Sequence, residues 1–199
     1  MNLRAHRLGL LELCLLAVVF FLPALAHAHV GIGPTSGWTH GLAHPISGLD
    51  HICAMIAVGL LAGQRGGRAL WVVPLTFLTL MACGALLGMA AVRVPFVAGG
   101  IVMSVLVLGV LVAVAVRLPL GADVGIVSLF ALCHGHVHGT EMAAAASGLV
   151  YGAGFLFGTA LLHVLGIGLT LLPARVGEAR LARVAGAAIA LCGLYRVVA

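Results

Sequence analysis

The sequence predicts an all-α polytopic membrane protein, with six transmembrane helices behind a cleavable signal peptide. Three observations carry that prediction. Hydrophobic residues make up 63% of the 199 and charged residues only 8%, with a mean hydropathy of +1.24. A soluble domain carries about 25% charged residues. The apolar stretches approach the roughly 20 residues that a helix needs to cross a bilayer. The breaks between them are short and rich in Arg, Gly and Pro.

Residues 1–28 read as a secretory signal. Arg4 and Arg7 form a positive start, Leu13 to Leu22 an apolar core, and Ala26-His27-Ala28 a small-x-small cleavage site. An uncleaved anchor is the competing reading, because apolar character extends back toward Leu8, interrupted by Glu12. Cleavage leaves His29 as the mature N-terminus and residues 29–199 as a single six-helix domain. Its spans are expected near 40–63, 69–91, 96–116, 122–139, 145–172 and 181–198. The breaks are Gln64 to Arg68, Arg93-Val94-Pro95, Arg117 to Gly121, the histidine-rich stretch His134 to Glu141, and Pro173 to Arg180. Such short links predict that sequence neighbours pack as spatial neighbours. Gly84-xxx-Gly88, Gly148-xxx-Gly152 and Gly154-xxx-Gly158 supply close-packing faces. Packing within the bundle is the expected use, and a homo-oligomer face is the alternative.

A cleaved signal places residue 29 outside the cytoplasm, and the links then alternate. Arg65, Arg68, Arg117, Arg175, Arg180 and Arg183 fall inside, and Arg93 and Arg196 outside. That bias agrees with the positive-inside rule. It predicts a multi-pass protein with both termini on the side away from the cytoplasm, which is the periplasm if the membrane is a bacterial inner membrane.

Composition also excludes functions. Lysine is absent, so no P-loop exists. The formal charge of +5 comes from arginines scattered at helix ends, which is no nucleic-acid footprint. Cysteines 14, 53, 83, 133 and 192 stand singly in apolar segments without CxxC spacing. They read as buried hydrophobes, not as a disulfide framework or zinc knuckle.

The chemistry lies in the histidines. Of ten, seven fall in or beside predicted spans: His40, His44, His51, His134, His136, His138 and His163. Ionisable groups at membrane depth are costly and mark ion paths, proton relays or catalytic centres. On a helix, His40, His44, His51 and Met55 share one face. His44 and His51 would still stand about 10 Å apart along a straight axis, too far to grip one ion through nitrogens at about 2 Å. Pro45 and Gly48 between them favour a break, the device that transporters use for ion sites at the midplane. Asp50 lies off the stripe, as a ligand after a break or as an acceptor orienting a histidine. In the second cluster, His134 and His138 are spaced i, i+4, and Glu141 completes their face. Such a pair can hold one ion, and its place near the outer end of span four suits capture at the mouth. A solvated histidine-rich link is the plainer reading. His136 points away on a regular helix. His163, alone in span five, is a ligand or an interhelical hydrogen-bonder. Asp123 has a helix-N-terminal rationale and no assigned chemistry.

These residues resemble the HupE/UreJ family of nickel and cobalt permeases. The matching elements are His44 to His51 in the pattern HPxSGxDH, Phe130 to Glu141 around His-Gly-His-Val-His-Gly, and Thr159 to His163 with Gly166. The likeness spans nearly the whole chain. It implies delivery of metal for hydrogenase or urease assembly, with His44, Asp50 and His51 essential for transport, and it extends metal binding to His29. Cys133 departs from the bulkier apolar residue expected there, which leaves open whether a thiol tunes metal choice.

The sequence reading is therefore a permease, not an enzyme, that moves Ni²⁺ or Co²⁺ into the cytoplasm. It holds no resident cofactor; the ion is cargo. Imidazole and carboxylate suit nickel, whereas thiolates suit Cu(I). No energy-coupling motif is visible. Movement then follows the gradient, the membrane potential or capture by a cytoplasmic metallochaperone. Two rivals remain: an intramembrane zinc hydrolase with Asp50 or Glu141 as base, weakened by the absence of HExxH, and a bis-histidine haem carrier using His51 and His163.

Overall fold

The structure, a computed structural model, describes residues 37–142, 148–175 and 177–198. The expected leader, its cleavage site and His29 lie outside the described residues. Among the described residues, seven helices follow in order: α1 (Gly37–Ser47), α2 (Leu49–Arg65), α3 (Ala69–Met89), α4 (Val97–Val114), α5 (Leu120–Met142), α6 (Gly148–Arg175) and α7 (Arg180–Val198). Each of α3 to α7 is long and apolar enough to cross a membrane. The bent pair α1 and α2 passes the same test only when taken together. The chain is a polytopic all-α membrane protein.

The expected first span is broken. An 84° bend separates α1 from α2. Pro45 lies inside α1 and has no N–H for the Gly41 carbonyl. The helix ends two residues later, at Ser47, and is followed by Gly48, whose φ of −115° and ψ of 124° are extended. Any residue adopts those angles, so the break does not rest on glycine's freedom. Left-handed freedom is used at the next link, where Gly66 and Gly67 take φ of 68° and 51° between α2 and α3.

Helix α2 runs through the centre of the bundle. Ala54, Met55, Ala57, Val58, Leu60, Leu61 and Ala62 are fully buried. A helix buried on every side is apolar all round. The outer helices instead present Trp71, Leu75, Leu129, Val164 and Leu191 outward, where lipid lies.

The expectation that sequence neighbours pack together fails. The extensive contacts are α3 with α5, α4 with α7, and the α1–α2 pair with α6. The cause is glycine placement. A Cβ on Gly84 or Gly135 would run into the backbone of the facing helix in the α3–α5 pair. The same holds for Gly109 and Gly193 between α4 and α7, and for Gly41, Gly59, Gly154 and Gly166 between α6 and the first two helices. In lipid, backbones that approach this closely gain the packing that hydrophobic drive supplies in water. Gly84, Gly88, Gly154 and Gly158 thus serve packing inside the bundle.

A buried ion pair ties the end of α2 to α5. Arg65 Nε and Nη2 donate to Asp123 Oδ2 and Oδ1 at 2.7 and 3.0 Å. The Asp123 side chain is wholly enclosed. The helix-N-terminal rationale from sequence missed this partner.

Two glycines of α6 separate packing from intrinsic propensity. A Cβ at Gly166 meets the Ile56 carbonyl and the Gly59 backbone, whereas one at Gly168 meets nothing within 4 Å. Gly166→Val should destabilise the protein by at least the roughly 1–3 kcal/mol that overpacking costs. Gly168→Val should be tolerated. Thermal unfolding of both variants in detergent checks the contrast.

Candidate functional site

The break at Gly48 brings the two sequence clusters together. His44 at the end of α1 and His51 in the first turn of α2 both turn toward His138 on α5. His44 Nε2 lies 3.1 Å from His138 Nδ1, and His138 Nε2 lies 3.2 Å from His51 Nδ1. Glu141 Oε2 sits 3.1 Å from His138 Nδ1 and 3.2 Å from His44 Nε2. Among the described residues two trios result, His44/His138/Glu141 and His51/His134/His138, each with ligand-capable atoms within 4.8 Å of one another. His138 belongs to both.

Exposure falls along this chain of residues. The Glu141 side chain is 51% exposed, His44 25% and His138 12%. His51 and His134 are buried. The open end of the cluster is therefore Glu141 and His44. His134, which sequence spacing placed at the mouth, is interior.

Hydrogen bonds fix the rings. Ser104 Oγ donates to the Ile101 carbonyl at 2.6 Å, so it is an acceptor for His134 Nε2–H at 2.9 Å. His134 Nδ1, buried and without a protein partner, is left carrying the lone pair. Likewise an ionised Glu141 can only accept, so His138 donates through Nδ1 and offers Nε2 to the inner trio. His51 Nε2 shares a hydrogen bond of 3.3 Å with Thr159 Oγ1. A polar partner behind each ring is the usual support of a metal-binding histidine.

His163 lies beyond the inner trio. Phe77 stands between, with ring centroids 5.9 Å from His134 and 5.3 Å from His163. Both His163 nitrogens are buried without a hydrogen-bond partner in the protein. The interhelical hydrogen-bond reading of His163 therefore fails among the described residues.

Other predicted residues lie apart. Asp50 does not enter either trio; its Oδ2 accepts from Arg196 Nη2 at 2.9 Å, joining the start of α2 to the end of α7. His136 points away, as helical spacing indicated, and donates through Nε2 to the Val92 carbonyl at 2.7 Å. The His40 ring is tilted against those of His44 and Tyr151, with centroids 6.5 and 6.0 Å away. Met55 is buried in the apolar core. Cys133 faces Gly100 on α4 and does not join the histidines.

Sequence reasoning missed Ser104 and Phe77 altogether and gave Thr159 no role. A hydroxyl or aromatic in an apolar span gives no local signal of the histidine it faces on another helix.

The family model described as HupE / UreJ protein matches residues 15–196. A protein of Rhizobium leguminosarum bv. viciae named Protein HupE is 49% identical over 174 residues, covering 86% of this chain and 90% of that protein. No solved structure matches.

Proposed function

The chain belongs to the HupE/UreJ family, and from that premise we propose that it is an inner-membrane permease carrying Ni²⁺, or Co²⁺, into the cytoplasm for hydrogenase or urease assembly. The observation that carries this reading is the sharing of His138 between the two trios. An ion entering between Glu141 and His44 takes His138 Nδ1 as its third ligand once that nitrogen gives up its proton, and passes to His51, His134 and His138 Nε2, so one residue serves both positions. Conduction needs several sites, each weak enough to release its ion, and a shared ligand lowers the cost of leaving the first. Imidazole with one carboxylate is a donor set suited to nickel. His163, with two unsatisfied nitrogens past Phe77, is the next waypoint.

The direction is supported by charge. Glu141 and His44 open at the end of the bundle that the arginine bias assigns to the periplasm. His29 at the mature N-terminus is placed on that side as a further capture ligand. Release on the other side runs down the gradient or potential, or into a metallochaperone. Asp50 acts from outside the ligand shell, holding the start of α2 through Arg196 and so setting where His51 points.

The rivals fit the geometry less well. His51 packs ring to ring against His138, Phe155 and His134 at 5.0, 5.1 and 5.3 Å. A porphyrin has no slot beside such a ring. A hydrolase would need a carboxylate base beside the metal that is not itself a ligand, yet Glu141 belongs to the outer trio and Asp50 lies apart from both trios, on Arg196.

Two predictions separate the positions. His138→Ala removes a ligand from both trios, so Ni²⁺ binding to the purified protein should weaken by more than about tenfold, the lower cost of losing only an outer-shell partner. ⁶³Ni uptake should be lost with it. His136→Ala, which touches neither trio, should leave both unchanged. Calorimetric titration and uptake in a host without its own nickel importers are the measurements.

Glu141→Gln alters only the exposed end. Its uptake should fall at low nickel and recover at excess, a rise in half-saturation with the maximal rate retained. His134→Ala alters the buried trio, and excess nickel should not rescue it. Concentration series of uptake at matched protein levels read out both.

A further inference from the structure

At the end of the bundle remote from the histidines, the α2–α3 and α4–α5 links enclose an open cavity of about 450 Å³. Three arginines line it: Arg65, Arg68 and Arg117. The acidic residue in its wall is Asp123, and both carboxylate oxygens are taken by Arg65. Among the described residues, the side chains of Arg68 and Arg117 have neither an ion-pair nor a hydrogen-bond partner. Two guanidinium forks therefore face one cavity with their charge unanswered.

Two further features define what fits there. Helix α3 begins at this cavity with no side-chain cap and no acidic residue in its first turn. Its positive dipole end is thus also uncompensated, which favours an anion. Trp71, half exposed in that same first turn, marks the membrane–water interface, where tryptophan collects. Ala69, Leu118 and Leu120 give the cavity apolar walls beside the charged groups. Guanidinium groups match phosphate oxygens in bidentate geometry. The volume lies in the range of small-ligand sites, about 300–1,000 Å³.

We propose that this cavity binds the phosphodiester headgroup of an anionic phospholipid, held by Arg68 and Arg117 at the start of α3. The lipid's chains then run outward past Trp71 and Leu75, both of which face away from the bundle. Arg65 does not hold the headgroup; its pair with Asp123 keeps the wall of the site in place. The bound lipid clamps the two links that join α2 to α3 and α4 to α5.

Native mass spectrometry of the full chain, extracted into detergent and supplied with phosphatidylglycerol or phosphatidylcholine, tests this. The wild type should retain one phosphatidylglycerol and release phosphatidylcholine. Its thermal midpoint should rise with the first lipid and not with the second. Arg68→Gln/Arg117→Gln should lose both the adduct and the shift, each single variant should lose part, and Arg93→Gln at the opposite end should lose neither. The single variants decide the matter if the double variant elutes as aggregate. Equal retention of both lipids, or full retention by the arginine variants, would overturn the proposal. Inorganic phosphate that displaces the adduct and reproduces the shift in phosphatidylcholine would overturn the lipid assignment.

Discussion

The break between α1 and α2 is the constraint on which the site depends. On an unbroken helix, His44 and His51 stand about 10 Å apart along the axis, too far to grip one ion through nitrogens at about 2 Å. The 84° turn at Gly48 folds α1 back, so that His138 on α5 lies within hydrogen-bond distance of each. Pro45 removes one backbone bond near the turn, and Gly41, Gly154 and Gly158 let α1 press against α6. Without that docking, the polar ends of α1 and α2 would have no partner to satisfy them in lipid.

Burying imidazoles in a membrane is costly unless they are paired. The cluster limits that cost by pairing its members with one another, and with Ser104 and Thr159. The atoms left over are informative. His134 Nδ1 and both His163 nitrogens are enclosed without protein partners. Buried polar atoms are rarely left unsatisfied without a reason, and a path for a cation supplies one. The proposed transport reading assigns these atoms a task; a purely structural reading leaves them as uncompensated loss.

Much of this was legible in the sequence. Five of the six spans, the histidine clusters and the need for a break between His44 and His51 follow from hydropathy, residue chemistry and helical rise. The i, i+4 spacing of His134 and His138 did place them on one face. What could not be read was which faces meet. The α3–α5 and α4–α7 pairings are decided by the match of glycine stripes in segments far apart in sequence, and no single segment carries that match. For the same reason the partners of two carboxylates were missed. Asp50, read as a ligand or a histidine partner, faces Arg196; Asp123 stands in the first turn of its helix, as expected, and is bound there by Arg65. Each pairing needs two helices to be placed before it can be seen.

The central claim is that His138, with the residues around it, forms the ligand shell of a transported nickel ion. X-ray absorption at the nickel edge, on purified protein loaded with one equivalent of Ni²⁺, tests it most directly. The account predicts a shell of nitrogen and oxygen only, with the multiple-scattering signature of two or three imidazoles. A sulfur ligand would place the ion at a cysteine or at Met55, away from both trios, and would contradict the account.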